Sequence, residues 1–234
     1  MILGICGAGW KNFRFFFAEG GCDRCFDCRS VGDDVCVAYI FASARYIYCM
    51  TTGADKGRKR DALIVCGVGA IFSLAVGALS HFFYEWSGGS TAAGIFFPVN
   101  ESVWEHMKLV FFPFLVYFAT ALPLAPTLNN RVFGAFSATF IAAGFIPAVF
   151  YTYTAFTGRA ILAVDITVYC VGVFLGFAVA YAAFTRPRSS AALCAAGALG
   201  LVFIAACYFT LTAFAPDFFL FVDPRNGKFG LGAG

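Results

Sequence analysis

The sequence predicts an all-α fold, a polytopic transmembrane helix bundle of about five spans with its N-terminus cytoplasmic and its C-terminus external. Three observations predict it. Of the 234 residues, 61% are hydrophobic and 12% charged, where soluble domains run at about half and about a quarter. Apolar runs recur at roughly twenty residues, the length that the hydrocarbon core of a bilayer demands of a helix. Short turns rich in breakers or charges separate the last four of those runs. The expected partner is therefore the lipid bilayer. The formal charge of +3 is spread along the chain with no cationic, aromatic-interleaved face, which argues against nucleic acid as a partner.

Residues 1–49 differ from the rest. They hold six of the ten cysteines, and their one apolar run, 35–49, is too short to span and contains Arg45. Cys22, Cys25 and Cys28 have the spacing of a zinc or iron–sulfur ligand set but lack a matching fourth ligand. Met50 opens MTTGADKGRKRD, a basic leader directly before an apolar run. Residues 1–49 thus read as an atypical extension joined through a mistaken start, and 50–61 as a cytoplasmic leader.

The transmembrane domain is expected over 62–215, with spans near 62–84, 103–122, 132–153, 160–184 and 191–214. The linker 86–100 carries Gly88, Gly89, Gly94 and Pro98 around Ile95, Phe96 and Phe97, the composition of a re-entrant or interfacial loop. The aromatic residues 216–234 form an external tail with turn chemistry at Pro224–Gly227. Cys66, Cys170, Cys194 and Cys207 fall inside spans, where they act as small apolar filler.

Orientation follows the positive-inside rule. Lys56, Arg58, Lys59, Arg60, Arg131, Arg186 and Arg188 fall on one side, against Lys108, Arg159, Arg225 and Lys228 on the other. The first side is read as cytoplasmic, in a cell (inner) membrane. Every acid after Asp61 (Glu85, Glu101, Glu105, Asp165, Asp217 and Asp223) then lies at or near the outer face, with both histidines. Acids contribute little to topology, so this grouping points to function.

The densest part is 81–108, HFFYEWSGGSTAAGIFFPVNESVWEHMK. In the first span Gly69, Ser73, Gly77, His81 and Glu85 recur every four residues, which places neighbours on one face. Small residues there favour close helix packing, so His81 and Glu85 are expected to face the bundle. The competing explanation places both at the headgroup level. In the second span Ser102-x-x-Glu105 is a capping box, which gives Glu101 and Glu105 a structural reading. Helical spacing puts Glu101, Glu105 and Lys108 on one side and His106 about 100° from Glu105. The expected cluster is His81 and Glu85 with Glu101 and Glu105. The metal ligands would be His81, Glu85 and Glu105, and the cofactor a divalent cation. Lys108 weighs against an ion, because its ammonium can neutralise Glu105.

Pro147 predicts a kink in the third span, and Tyr151 and Tyr153 beyond it read as an interfacial belt or as part of the site. Asp165 lies inside the fourth span, where a charge is expensive. It should pair with Arg159 or Lys108, bond a tyrosine, or face a cavity.

The motifs HFFYEW, PVNESVWEHMK, FYTYT and FVDPRNGKFG occur here in that order. Together they resemble an uncharacterised family of small prokaryotic polytopic membrane proteins, a domain of unknown function, over about residues 60–231. The resemblance implies a shared architecture and makes the polar island a shared feature. It supplies no activity.

Three functions remain open at this level. The first is binding or moving a cation or small polar solute at the outer-face carboxylate and histidine site. Five helices are few for a transporter unless the chain forms a homo-oligomer, and no inverted repeat is visible. The second is an intramembrane metal-assisted hydrolase. The third is a non-enzymatic membrane assembly protein with the island as its docking interface.

Overall fold

The computed structural model describes the backbone of residues 35–230 and the side chains of residues 54–230. The Cys22–Cys25–Cys28 spacing and the reading of a mistaken start lie outside the described residues. The chain divides into two units at Ile47–Tyr48, and the helical bundle belongs to the second.

Among the described residues six helices follow in order: α1 (Val35–Trp86), α2 (Thr91–Phe96), α3 (Val103–Ala121), α4 (Arg131–Thr157), α5 (Leu162–Phe184) and α6 (Ala191–Ala213). Among the described residues there is no sheet; one antiparallel bridge joins Val222 and Phe229 in the tail. Helices α3 to α6 match the last four expected spans to within a few residues at each end, whereas α1 begins at Val35, well before the first expected span at 62. Four of them, α1 from Ala54 onward, α4, α5 and α6, are long and apolar enough to cross a membrane. This is a multi-pass membrane protein.

The exception, α3, is instructive. Glu105, His106 and Lys108 fall in its first two turns, and 12 of its 19 residues are buried. It packs into both hydrophobic clusters of the bundle along most of its length, with Val116 54% exposed. Val110, Phe114, Tyr117 and Phe118 pack into the main core with Ala62, Cys66 and Ala70 of α1, Ala138 and Ala142 of α4, and Val173, Phe177 and Phe184 of α5. Its opposite side, Trp104, Phe111 and Phe112, meets Tyr208 of α6 and Phe221 of the tail in a second cluster. Neighbouring helices shield α3, so its sequence tolerates charge that the outer helices could not.

The small-residue stripe on α1 does what its spacing predicts. A Cβ on Gly77 would lie 2.1 Å from the Tyr169 hydroxyl and 2.5 Å from the Leu109 carbonyl oxygen, so only glycine admits this approach. Tyr169 Oη donates to the Ser73 carbonyl at 2.7 Å, and Tyr117 Oη donates to that of Val65. Gly176 plays the same part between α5 and α4, where a Cβ would stand 2.9 Å from the Ala138 carbonyl oxygen.

At the end of the bundle where α4 begins, Asn130 caps it in the left-handed region (φ 45°). Its amide ties the neighbouring turn, accepting from Ser190 N–H at 2.8 Å and donating to the Arg188 carbonyl at 3.0 Å. At the other end the chain gathers the C-terminal turns of α1, α4 and α6 with the first turns of α3 and α5. That end carries the polar island.

Candidate functional site

The linker after α1 turns through Gly88 and Gly89, both at positive φ (70° and 74°), which favours glycine. It then forms α2, whose Phe96 packs edge-on against Phe112 of α3 and Phe209 of α6. The loop is therefore folded back on the bundle.

Two charged groups fix it there. Lys108 Nζ contacts Glu105 Oε2 at 2.7 Å and donates to the Gly94 carbonyl at 3.0 Å. The same Glu105 oxygen accepts from Val99 N–H at 3.0 Å. Both side chains are almost fully buried, at 0% and 3% exposure. Ser102 is the N-cap, its hydroxyl accepting from Glu105 N–H at 3.3 Å. Only half of the predicted capping box is made, because the Glu105 carboxylate turns to Lys108 and Val99 and leaves the Ser102 N–H to Asn100 Oδ1 (2.9 Å).

Glu101 lies just before that cap and outside the helix. Its Oε1 is 3.7 Å from His81 Nε2 and its Oε2 3.6 Å from His106 Nε2. The two imidazoles face each other with ring centroids 5.5 Å apart. One ligand atom from each of His81, Glu101 and His106 lies within 4.8 Å of the others, and all three residues are partly buried. His106 Nδ1 sits 2.9 Å from the Ser102 carbonyl oxygen. A carbonyl can only accept, so Nδ1 is the donor here, and in the neutral ring Nε2 is the nitrogen that presents its lone pair to the cluster. A metal-binding histidine is typically held this way. His81 has no such partner, because its Nδ1 is buried without a hydrogen bond.

The side chains that the structure brings to His81 are Glu101 and His106; Glu105 is committed to Lys108, and Glu85 is exposed. Each departure has a geometric reason. A four-residue repeat drifts about 40° per step on a helix of 3.6 residues per turn, and by Glu85 the stripe has rotated off the packed face. Wheel arithmetic rightly separates His106 from Glu105, but it does not apply to Glu101, which precedes the N-cap. Glu101 thus reaches His106 from the adjoining extended segment.

The tail completes the site. Asp223 N–H donates to the Lys228 carbonyl at 2.8 Å and Gly227 N–H to that of Asp223 at 2.9 Å, closing the turn read from Pro224–Gly227. Asp223, 4% exposed, accepts from Arg225 N–H at 2.8 Å and from Glu101 N–H at 3.4 Å. Trp104 N–H donates to the Leu220 carbonyl at 3.0 Å, and Asn100 Nδ2 to that of Gly230 at 3.3 Å. Arg225 Nη2 then stands 3.2 Å from Glu101 Oε1. Sequence reasoning placed Asp223 with the outer-face acids but named neither it nor Arg225 as a site residue; that grouping and the turn motif were the available signals.

Asp165 and the tyrosines lie at the same end but make a separate pair. Tyr153 Oη donates to Asp165 Oδ1 at 2.5 Å and accepts from Ile161 N–H at 3.1 Å. Of the alternatives for Asp165, the tyrosine is the partner. Tyr151 Oη donates to the Phe219 carbonyl at 3.3 Å and ties α4 to the tail.

Over residues 54–231 the chain matches the family of unknown function DUF6512, and it belongs to that family. No curated protein and no solved structure matches it.

Proposed function

We propose that this membrane protein binds a divalent cation at His81, Glu101 and His106, on the external face of a cell (inner) membrane. The observation that carries the reading is the convergence of two imidazoles and one carboxylate within 4.8 Å, with the His106 ring oriented by the Ser102 carbonyl. Two nitrogens and one oxygen are a common donor set for a catalytic-type divalent site, with one position left to water or solute. Ionisable groups that face a bundle interior mark ion or solute sites by default. The external placement rests on the seven basic residues assigned to the opposite side against four on this one.

A bound ion with an open position also fits the hydrolase reading. Binding is favoured because Glu105, the buried carboxylate beside the cluster, is tied to Lys108 and Val99 and so is a poor general base.

The test is direct metal analysis of the purified protein in detergent after loading with Zn²⁺ or Co²⁺ and desalting. One equivalent should be retained by the wild type and lost by His106→Ala. Retention by His106→Ala, or none in the wild type, overturns the reading. Orientation is tested with a Ser90→Cys variant and a membrane-impermeant maleimide. Labelling from outside intact cells, above that of the parent chain, is expected; labelling only after the cytoplasmic side is opened would reverse the topology.

A further inference from the structure

We infer, on the basis of that cation site, that its two imidazoles select transition-metal ions over alkaline-earth ions, and that Arg225 of the tail tunes the affinity by competing for the Glu101 carboxylate.

The guanidinium and the proposed ion share one atom. Arg225 Nη2 lies 3.2 Å from Glu101 Oε1, the oxygen that also faces His81 Nε2 at 3.7 Å. An ion on Glu101 Oε1 must therefore weaken or displace Arg225. The guanidinium is held in place by its backbone. The Arg225 N–H is bonded to Asp223, Asp223 also accepts from Glu101 N–H, and the Asp223–Lys228 turn is closed by two backbone hydrogen bonds. Further bonds from Trp104 to Leu220 and from Asn100 to Gly230 hold the tail beside the first turn of α3. The Arg225 side chain itself is 73% exposed, so its pairing with Glu101 is weak and screened by salt. It is strong enough to compete and weak enough to be displaced.

The donor set decides which ions can displace it. Calcium takes six to eight oxygen ligands and magnesium keeps most of its waters on an octahedral oxygen shell. Here such an ion would find one carboxylate, already shared with a cation, and two nitrogens that it binds poorly. Asp223, the nearest further acid on the tail, has its oxygens on two backbone N–H groups. Zinc, cobalt and nickel gain two bonds to imidazole, which more than offsets the lost contact with Arg225.

The experiment is a Co²⁺ titration of the purified full chain in detergent, read by its visible ligand-field absorption. Wild type, Arg225→Gln and Lys228→Gln are compared at low and high salt, with Mg²⁺ and Ca²⁺ as competitors. Arg225→Gln should bind Co²⁺ about three- to fivefold more tightly at low salt, the scale of an exposed ion pair, and the gap should shrink at high salt. Lys228→Gln should match the wild type, and millimolar Mg²⁺ or Ca²⁺ should displace no Co²⁺ from either. Equal or weaker binding by Arg225→Gln overturns the inference and leaves the cation site standing. Displacement of Co²⁺ by Ca²⁺ at comparable concentration overturns the selectivity. No Co²⁺ binding by any of the three chains overturns the site and the inference together.

Discussion

Glu101 and Glu105 stand four residues apart on either side of Ser102, yet their carboxylates live differently. Glu105 is buried, with an ammonium at 2.7 Å and a backbone N–H at 3.0 Å. Glu101 is half-buried and shared among two imidazoles and a guanidinium at 3.2–3.7 Å. The first has its charge answered by the chain itself at close range, and it holds the α2 loop in place. The second is surrounded by groups that approach it without saturating it. A polar cluster in a membrane bundle is thus divided by how completely each member's charge is met, and not by its position in the motif.

Breaking the buried pair should have the largest effect. Lys108→Met leaves an unpaired carboxylate in the interior and should lower stability by roughly 3–5 kcal/mol, the usual loss when one partner of a buried pair is removed. Thermal unfolding in detergent measures it. Adding Glu105→Gln in the same chain should restore much of the loss, since the orphaned charge is then gone; no recovery would mean that the pair is not what holds the loop.

The opposite pattern is expected for Glu101→Gln. Its contacts are partly exposed, so unfolding should shift by about 1 kcal/mol or less. Co²⁺ affinity should nevertheless fall more than about 100-fold, because loss of a direct ligand exceeds the 10–100-fold typical of an outer-shell partner. A smaller change would place the ion elsewhere. Between these extremes, Tyr153→Phe removes the hydroxyl bonded to Asp165 and should destabilise by about 1–3 kcal/mol, the range for a polar group left unsatisfied, with metal affinity unchanged. Glu85→Gln should do least, within about 0.5 kcal/mol of the parent and with full Co²⁺ binding. A loss of metal in that variant would restore the ligand set expected from the helical stripe.

The helices were legible because membrane-length apolar runs interrupted by breakers leave little choice of ends. Gly77 and Ser73 were legible as a packing face for a similar reason, since a repeat of four over a few turns stays on one side. The same repeat misled at Glu85, where the accumulated drift matters. Ser102 is readable as a cap, and a cap there places Glu101 outside the helix, where wheel spacing no longer fixes its direction. Arg225 was beyond reach. Its approach to Glu101 depends on Leu220, Asp223 and Gly230 docking on residues 100–104, and no local pattern encodes a contact across 122 positions. The central role of α3 was hidden for the same reason: burial by neighbours is a property of the bundle.

The carbonyl of Ser102 serves two bonds at once, one from the His106 amide at 3.1 Å and one from the His106 ring at 2.9 Å. Winding of the first turn of α3 and presentation of the imidazole lone pair are therefore a single event. Fraying of that turn would release the ring to spin and to exchange tautomers. The backbone amide of residue 106 becomes a natural gauge of readiness, its hydrogen exchange slowing whenever the ring is held to bind.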